Sequence, residues 1–131
     1  MRNRAGIILY SKNKILLIKR IKNSCLYWVA PGGGLKEGES FECAAKRELY
    51  EETGLCVKEI NDFVTLNMTD GTEKYYIVTV SDTYDARLQG EEVKRSDESN
   101  QYVPEWVAIS KLNEVNLLPS ELKKYIFEYF N

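Results

Sequence analysis

Histidine is absent from this 131-residue chain. That absence removes the commonest general base, the serine and cysteine triads, and every histidine-based metal site. Acid–base chemistry must then fall to carboxylates, lysine, tyrosine or bound water. Cysteine is scarce and odd in number: Cys25, Cys43 and Cys56 show no C-x-x-C spacing. A disulfide framework or zinc site is therefore not expected, and reduced thiols in a cytoplasmic protein fit best. Long apolar runs are lacking too. Near the start, "AGIILY" stops after six residues at "SKNK", too short for a signal peptide's apolar segment and far too short for a bilayer, so no membrane is expected. With a net charge of −2, the chain has no global basic field to recruit a nucleic acid polymer.

What is present is ordinary globular composition, 44% apolar and 29% charged, with no linker, repeat or low-complexity tract. One domain over residues 1–131 is the simplest organisation. The β-branched runs at 4–11 and 14–21, split by "SKNK", predict a hairpin. The stretch 26–40, punctuated by Pro31, Gly32, Gly33, Gly34 and Gly38, reads as a loop. Ser40 can cap a helix over 41–53 that Gly54 closes. Strands follow over 56–69 and 73–84, joined by an Asp70-Gly71 turn. The polar segment 85–104 is irregular, with one strand possible at its start, and 105–109 is a short strand. Residues 119–130 predict a C-terminal helix with Pro119 near its first position and Leu122, Tyr125, Ile126, Tyr129 and Phe130 at helical spacing. Strands interleaved with two helices make an α/β fold, a mixed sheet covered on both faces.

The 41–53 helix carries the sharpest anomaly. "RELYEETGL" places Glu48, Glu51 and Glu52 within one turn. Like charges at such spacing cost roughly 0.2–0.5 kcal/mol per pair. At about 100° per residue the three acids share an arc of about 100°, on the same half of the helix as Phe41, Ala44 and Ala45. A solvated acidic face balanced by Lys46 and Arg47 is the plainer account. Partly desolvated carboxylates instead call for a cation, and oxygen-only ligation favours Mg²⁺ or Mn²⁺.

The surrounding spacing decides between the two. Gly33, five residues, Glu39, seven residues, Arg47-Glu48-Leu49, one residue, Glu51-Glu52, one residue and Gly54-Leu55 fill every fixed position of the 23-residue Nudix box. On those residues the chain resembles the Nudix hydrolase family. The resemblance implies an α/β/α sandwich with a mixed β-sheet and a loop–helix–loop metal site. It implies Mg-dependent hydrolysis of a nucleoside diphosphate linked to some group X, giving a nucleoside monophosphate and phosphorylated X. By the same resemblance Glu48, Glu51 and Glu52, with the Gly32 carbonyl, hold the metal. Arg47 orients the carboxylates, Glu39 ties the preceding loop to the helix, and Gly33 and Gly54 shape the site. Glu48 is the first choice of base. Glu98 is the best base from a later loop, ahead of Glu91, Glu92 and Asp97. The family is often dimeric, so a homodimer is admitted, with no interface located.

Substrate markers are fewer. Trp28, Tyr76 and Tyr102 are aromatic candidates for stacking on a base, and Lys36, Lys94 and Arg95 for phosphate contact. The proline that often marks ADP-ribose members is missing: the only prolines are Pro31, Pro104 and Pro119. Tyr75 and Tyr76 lie later than the tyrosine of diadenosine polyphosphate members. Asn116 precedes the last helix, which has no amide in its first turn. Short length leans toward the MutT-like group acting on nucleoside triphosphates. The rival is a non-catalytic nucleotide-sensing module on the same fold, although such modules usually lose box acids that this chain keeps.

Overall fold

The first hairpin forms through a turn whose central residues, Lys12 (φ 48°) and Asn13 (φ 65°), are both left-handed. Two such residues give the backbone twist that flanking strands require. In the computed structural model, which describes residues 2–81 and 100–130, this turn joins β1 (Arg4–Ser11) to β2 (Lys14–Lys22). A second left-handed pair, Asn23 (φ 51°) and Ser24 (φ 68°), turns β2 into β3 (Cys25–Val29). Much of the expected loop at 26–40 is therefore strand. After Pro31 the chain enters β4 (Gly32–Gly34), which lies antiparallel to β1 with Ala5 opposite Gly33. A Cβ at Gly32 would sit 2.7 Å from Gly6 Cα, so bare glycine permits this close approach.

The remaining strands are β5 (Asn61–Met68), β6 (Gly71–Thr79) and β7 (Asn100–Ala108). The β5–β6 turn centres on Thr69 and Asp70 rather than Asp70-Gly71, because Gly71 already pairs with Met68. A side chain there would meet the Arg2 backbone. Strand β7 starts earlier than the expected 105–109. It holds Pro104 opposite Ile18, and among the described residues it pairs only with β2, so a missing N–H is tolerated there. The strand considered at the start of 85–104 lies outside the described residues.

The sheet is mixed, with β1 parallel to β6 and the other pairs antiparallel. Its main path runs β3-β2-β1-β6-β5, with β4 on β1 and β7 on β2. Strands β1 and β2 pair only at Tyr10–Ile15 and Ser11–Lys14, then diverge. The first half of β1 is taken up by β4, the second half of β2 by β3. That divergence opens the sheet.

Strand alternation sorts side chains onto two faces. Ala5, Ile7, Leu9, Leu16, Tyr76 and Val78 face helix α1 (Phe41–Thr53), meeting its Ala44, Ala45 and Leu49. Ile8, Ile15, Leu17, Tyr75 and Ile77 face helix α2 (Glu121–Phe130), meeting Leu122 and Ile126. The result is an α/β/α sandwich. Leu49 is fully buried, and truncating such a residue to alanine costs about 2–5 kcal/mol. A short 3₁₀ turn, Ile109–Glu114, and the Leu118-Pro119 cis bond precede α2, whose Leu122 N–H donates to the Pro119 carbonyl at 3.1 Å. Among the described residues no helix is long and apolar enough to cross a membrane.

Candidate functional site

Helix α1 is fixed at both ends by its own sequence. Ser40 Oγ accepts from the Cys43 N–H at 3.1 Å, satisfying one of the first turn's orphan donors. Gly54, left-handed at φ 78°, ends the helix and donates to the Tyr50 carbonyl at 2.8 Å. Glu51 and Glu52 thus fall in the last turn, which contains no basic residue, and Glu48 lies just before it beside Arg47.

Arg47 is the hub. Its Nε donates to Glu39 Oε2 at 2.8 Å and its Nη2 to Glu39 Oε1 at 2.9 Å. Nη2 also reaches the Gly34 carbonyl at 3.0 Å, tying the helix to β4. Glu39 in turn accepts from the Lys36 N–H at 2.9 Å. The guanidinium holds the Glu39 carboxyl at a pKa of about 2, helped by the Lys36 N–H, and Glu39 pushes the Arg47 pKa above its ordinary value. Arg47 Nη1 makes longer contacts, 3.2 Å to Glu48 and 3.3 Å to Glu51. The short bonds anchor Arg47 on Glu39. The longer ones extend the same guanidinium to Glu48 and Glu51.

Glu52 is only 6% exposed, and its Oε1 accepts from the Gly32 N–H at 3.2 Å. A Cβ at Gly33 would fall on the Glu48 carboxylate, 2.6 Å from Cδ, so only glycine leaves room for that side chain. Among the described residues no three acids are gathered into a ready-made cation cage. The donor set nevertheless suits a hard divalent cation, since three carboxylates and the Gly32 carbonyl would offer it oxygen alone.

Beside these groups lies a cavity of about 360 Å³, lined on the helix side by Gly32, Gly33, Glu48 and Glu52. Arg20 and Tyr102 line it from β2 and β7, and Arg2 and Arg4 from the chain start. Of the aromatic candidates, only Tyr102 borders this cavity. Trp28 sits opposite Lys19, one residue out of phase with Arg20, and so belongs to the α2-side core with Leu117. Tyr76 is 3% exposed in the α1-side core, away from the cavity lining; burial raises its hydroxyl pKa. Both aromatics are corrected from base-stacking candidates to packing residues. Glu91, Glu92, Lys94, Arg95, Asp97 and Glu98 lie outside the described residues. Arg20, Arg4 and Arg2 escape a motif search. Arg20 had a signal, since period two places it on the same side as the α1-facing Leu16.

Comparison with known proteins agrees with this fold. The NUDIX domain family model matches residues 1–129. An RNA pyrophosphohydrolase of Pelagibacter ubique is 37% identical over 73 residues, 52% of this chain and 46% of that protein. The match thus spans about half that relative's length. An uncharacterized Nudix hydrolase of Bacillus subtilis, YvcI, is 27% identical over 120 residues, 87% of this chain and 70% of its own. Among solved structures, MutT from Aliivibrio salmonicida and Vibrio cholerae superposes with a TM-score of 0.67 at 25% identity, covering 94% of this chain and 92% of that one. A Caenorhabditis elegans Ap4A hydrolase gives 0.71 at 18% identity, covering 96% and 94%, a likeness of fold alone. With a complete box, an α/β/α sandwich and a family match over nearly its whole length, the chain belongs to the Nudix hydrolase family.

Proposed function

We propose that this chain is a single-domain, cytoplasmic, Mg²⁺-dependent (or Mn²⁺-dependent) pyrophosphohydrolase. Its substrate is a nucleoside triphosphate or related nucleoside diphosphate derivative. Water attacks phosphorus, giving a nucleoside monophosphate and phosphorylated X. The observation that carries this reading is the meeting of Glu48, Glu52, Gly32 and Gly33 at one cavity that arginines also line.

Glu48, Glu51, Glu52 and the Gly32 carbonyl are the proposed cation ligands. A bound Mg²⁺ supplies charge neutralisation at the anhydride and acidifies water near neutral pH. Glu48 accepts the proton of the attacking water, with Glu98 the second choice. Arg47 keeps the carboxylates in place while resting on Glu39, and Gly33 keeps space for Glu48.

The test is a product-resolved hydrolysis screen with Mg²⁺. It spans nucleoside triphosphates, oxidised dGTP, ADP-ribose, diadenosine polyphosphates, nucleotide sugars and, given the named relatives, a triphosphorylated RNA. Glu52→Gln serves as control and is expected to lose at least ~10²-fold in turnover. Near-normal turnover in that variant would overturn the ligand assignment. Tight nucleotide binding without any turnover would move the chain to the sensing class.

A further inference from the structure

Where helix α2 ends, two hollows share one apolar wall. A cavity of about 570 Å³ runs from Lys12 and Lys14 to Ile109, Phe127 and Phe130. A second, of about 280 Å³, is bordered by the same three apolar residues and by Glu128. Neither shares a residue with the cavity beside Glu48 and Glu52. The lysines border only the first hollow and Glu128 only the second, so the shared wall has a basic end and an acidic end. Ile109, Phe127 and Phe130 pack against the core yet stay only partly buried. The Phe130 ring is held by Tyr10, stacked at 4.3 Å, and by Tyr129, edge-on at 4.9 Å. Tyr129 is itself 57% exposed, which carries the aromatic surface beyond the hollows. Exposed apolar surface rimmed by polar groups marks interaction sites, and aromatic residues are enriched in interfaces. Lys14 and Glu128 are exposed and make no ion pair among the described residues.

An apolar strip with opposite charges at its two ends is its own complement under a two-fold rotation. The basic end of one copy then meets the acidic end of the other, and the contact occurs twice. We propose that this face is a two-fold interface between copies of this chain. Ile109, Phe127 and Phe130 form its centre, and Lys14 stands against Glu128 of the partner subunit on either side. A second copy satisfies both ends at once. An anionic ligand is opposed by Glu128 and a cationic one by the lysines, so neither matches the whole face. The glutamate cavity shares no residue with this face, and each copy keeps its own.

The experiment is sedimentation of the full chain from micromolar to millimolar concentration. It compares wild type, Lys14→Glu, Glu128→Lys and an equimolar mixture of the two variants. Wild type is expected to pass from monomer to dimer within that series. Each variant alone sets like charges at both contacts and should weaken the dimer about 10- to 100-fold. In the mixture both contacts again pair opposite charges, so dimer should return at close to wild-type strength. Because both side chains are exposed, the variants should melt within a few degrees of wild type, which separates lost pairing from lost folding. A wild type that stays monomeric throughout would overturn the interface. So would a dimer indifferent to both reversals, or a mixture no stronger than the variants alone.

Discussion

Arg47 and Glu39 face each other as a two-pronged pair, Nε to Oε2 at 2.8 Å and Nη2 to Oε1 at 2.9 Å. The same guanidinium touches Glu48, Glu51 and the Gly34 carbonyl. Helix, loop and glycine strand are thus indexed to one planar group. Lysine cannot reproduce that fork. Arg47→Lys should fold but lose about 10- to 100-fold in kcat/KM, the scale of a charge-assisted hydrogen bond. Steady-state kinetics on the best substrate from the screen decide it, and unchanged turnover would remove Arg47 from its orienting role.

The depressed Glu39 pKa makes a prediction about acid. The ordinary value is 4.5 and the folded value about 2, so the folded state holds the ionised form more tightly than the unfolded chain does. Stability from this group is then complete above about pH 4.5 and is lost as pH falls toward about 2. Glu39→Gln cannot titrate there. Melting temperatures of wild type and Glu39→Gln should differ by a constant amount near neutrality and converge between those two pH values. A gap that stays constant down to pH 2 would contradict the pairing.

Two neighbouring glycines should respond to alanine in opposite ways. At Gly33 the new methyl meets the Glu48 carboxylate, the far end of a flexible side chain. Gly33→Ala should keep its melting temperature within a few degrees while activity falls by at least ~10²-fold, as for loss of a key electrostatic group. At Gly32 the methyl meets the backbone of Ala5 and Gly6, which cannot step aside. Gly32→Ala should lower the melting temperature clearly. Thermal melts and activity assays on the two variants give the comparison, and similar behaviour of both would count against the close packing of β4 on β1.

Cation binding should also appear as stability. A ligand at one hundred times its Kd stabilises the folded state by about 2.7 kcal/mol. Saturating Mg²⁺ should therefore raise the melting temperature by several degrees over EDTA, and Glu52→Gln should shrink that rise. Identical curves in Mg²⁺ and EDTA would mean that the crowded glutamates are not held together by a cation.

Helix α1 is legible in the sequence down to its caps, because Ser40 and Gly54 act locally. The Lys12–Asn13 turn is legible for the same reason. Strands β3 and β4 are not, since glycine and proline near Trp28 signal a loop, and only pairing with β2 and β1 overrides them. The box acids can be read from spacing alone. Which aromatic faces the cavity depends on strand phase, and a one-residue offset sends Trp28 to the opposite face from Arg20. The full extent of β7 is hidden by Pro104, which is tolerated because, among the described residues, β7 pairs with β2 alone.

The early parting of β1 and β2 makes the sheet two leaves. One leaf carries β4, β1, β6 and β5 with helix α1, and therefore Glu48 and Glu52; the other carries β3, β2 and β7, and therefore Arg20 and Tyr102. Among the described residues strand pairing joins them at two positions, beside the Lys12–Asn13 turn. The apolar layer under α2 spans both, bringing Ile8 and Ile77 of one leaf together with Leu17 and Val107 of the other beneath Leu122 and Ile126. Helix α2 thus acts as a clasp across the fold's back. The spacing between the Glu48–Glu52 side and the Arg20–Tyr102 side is governed by residues that line neither.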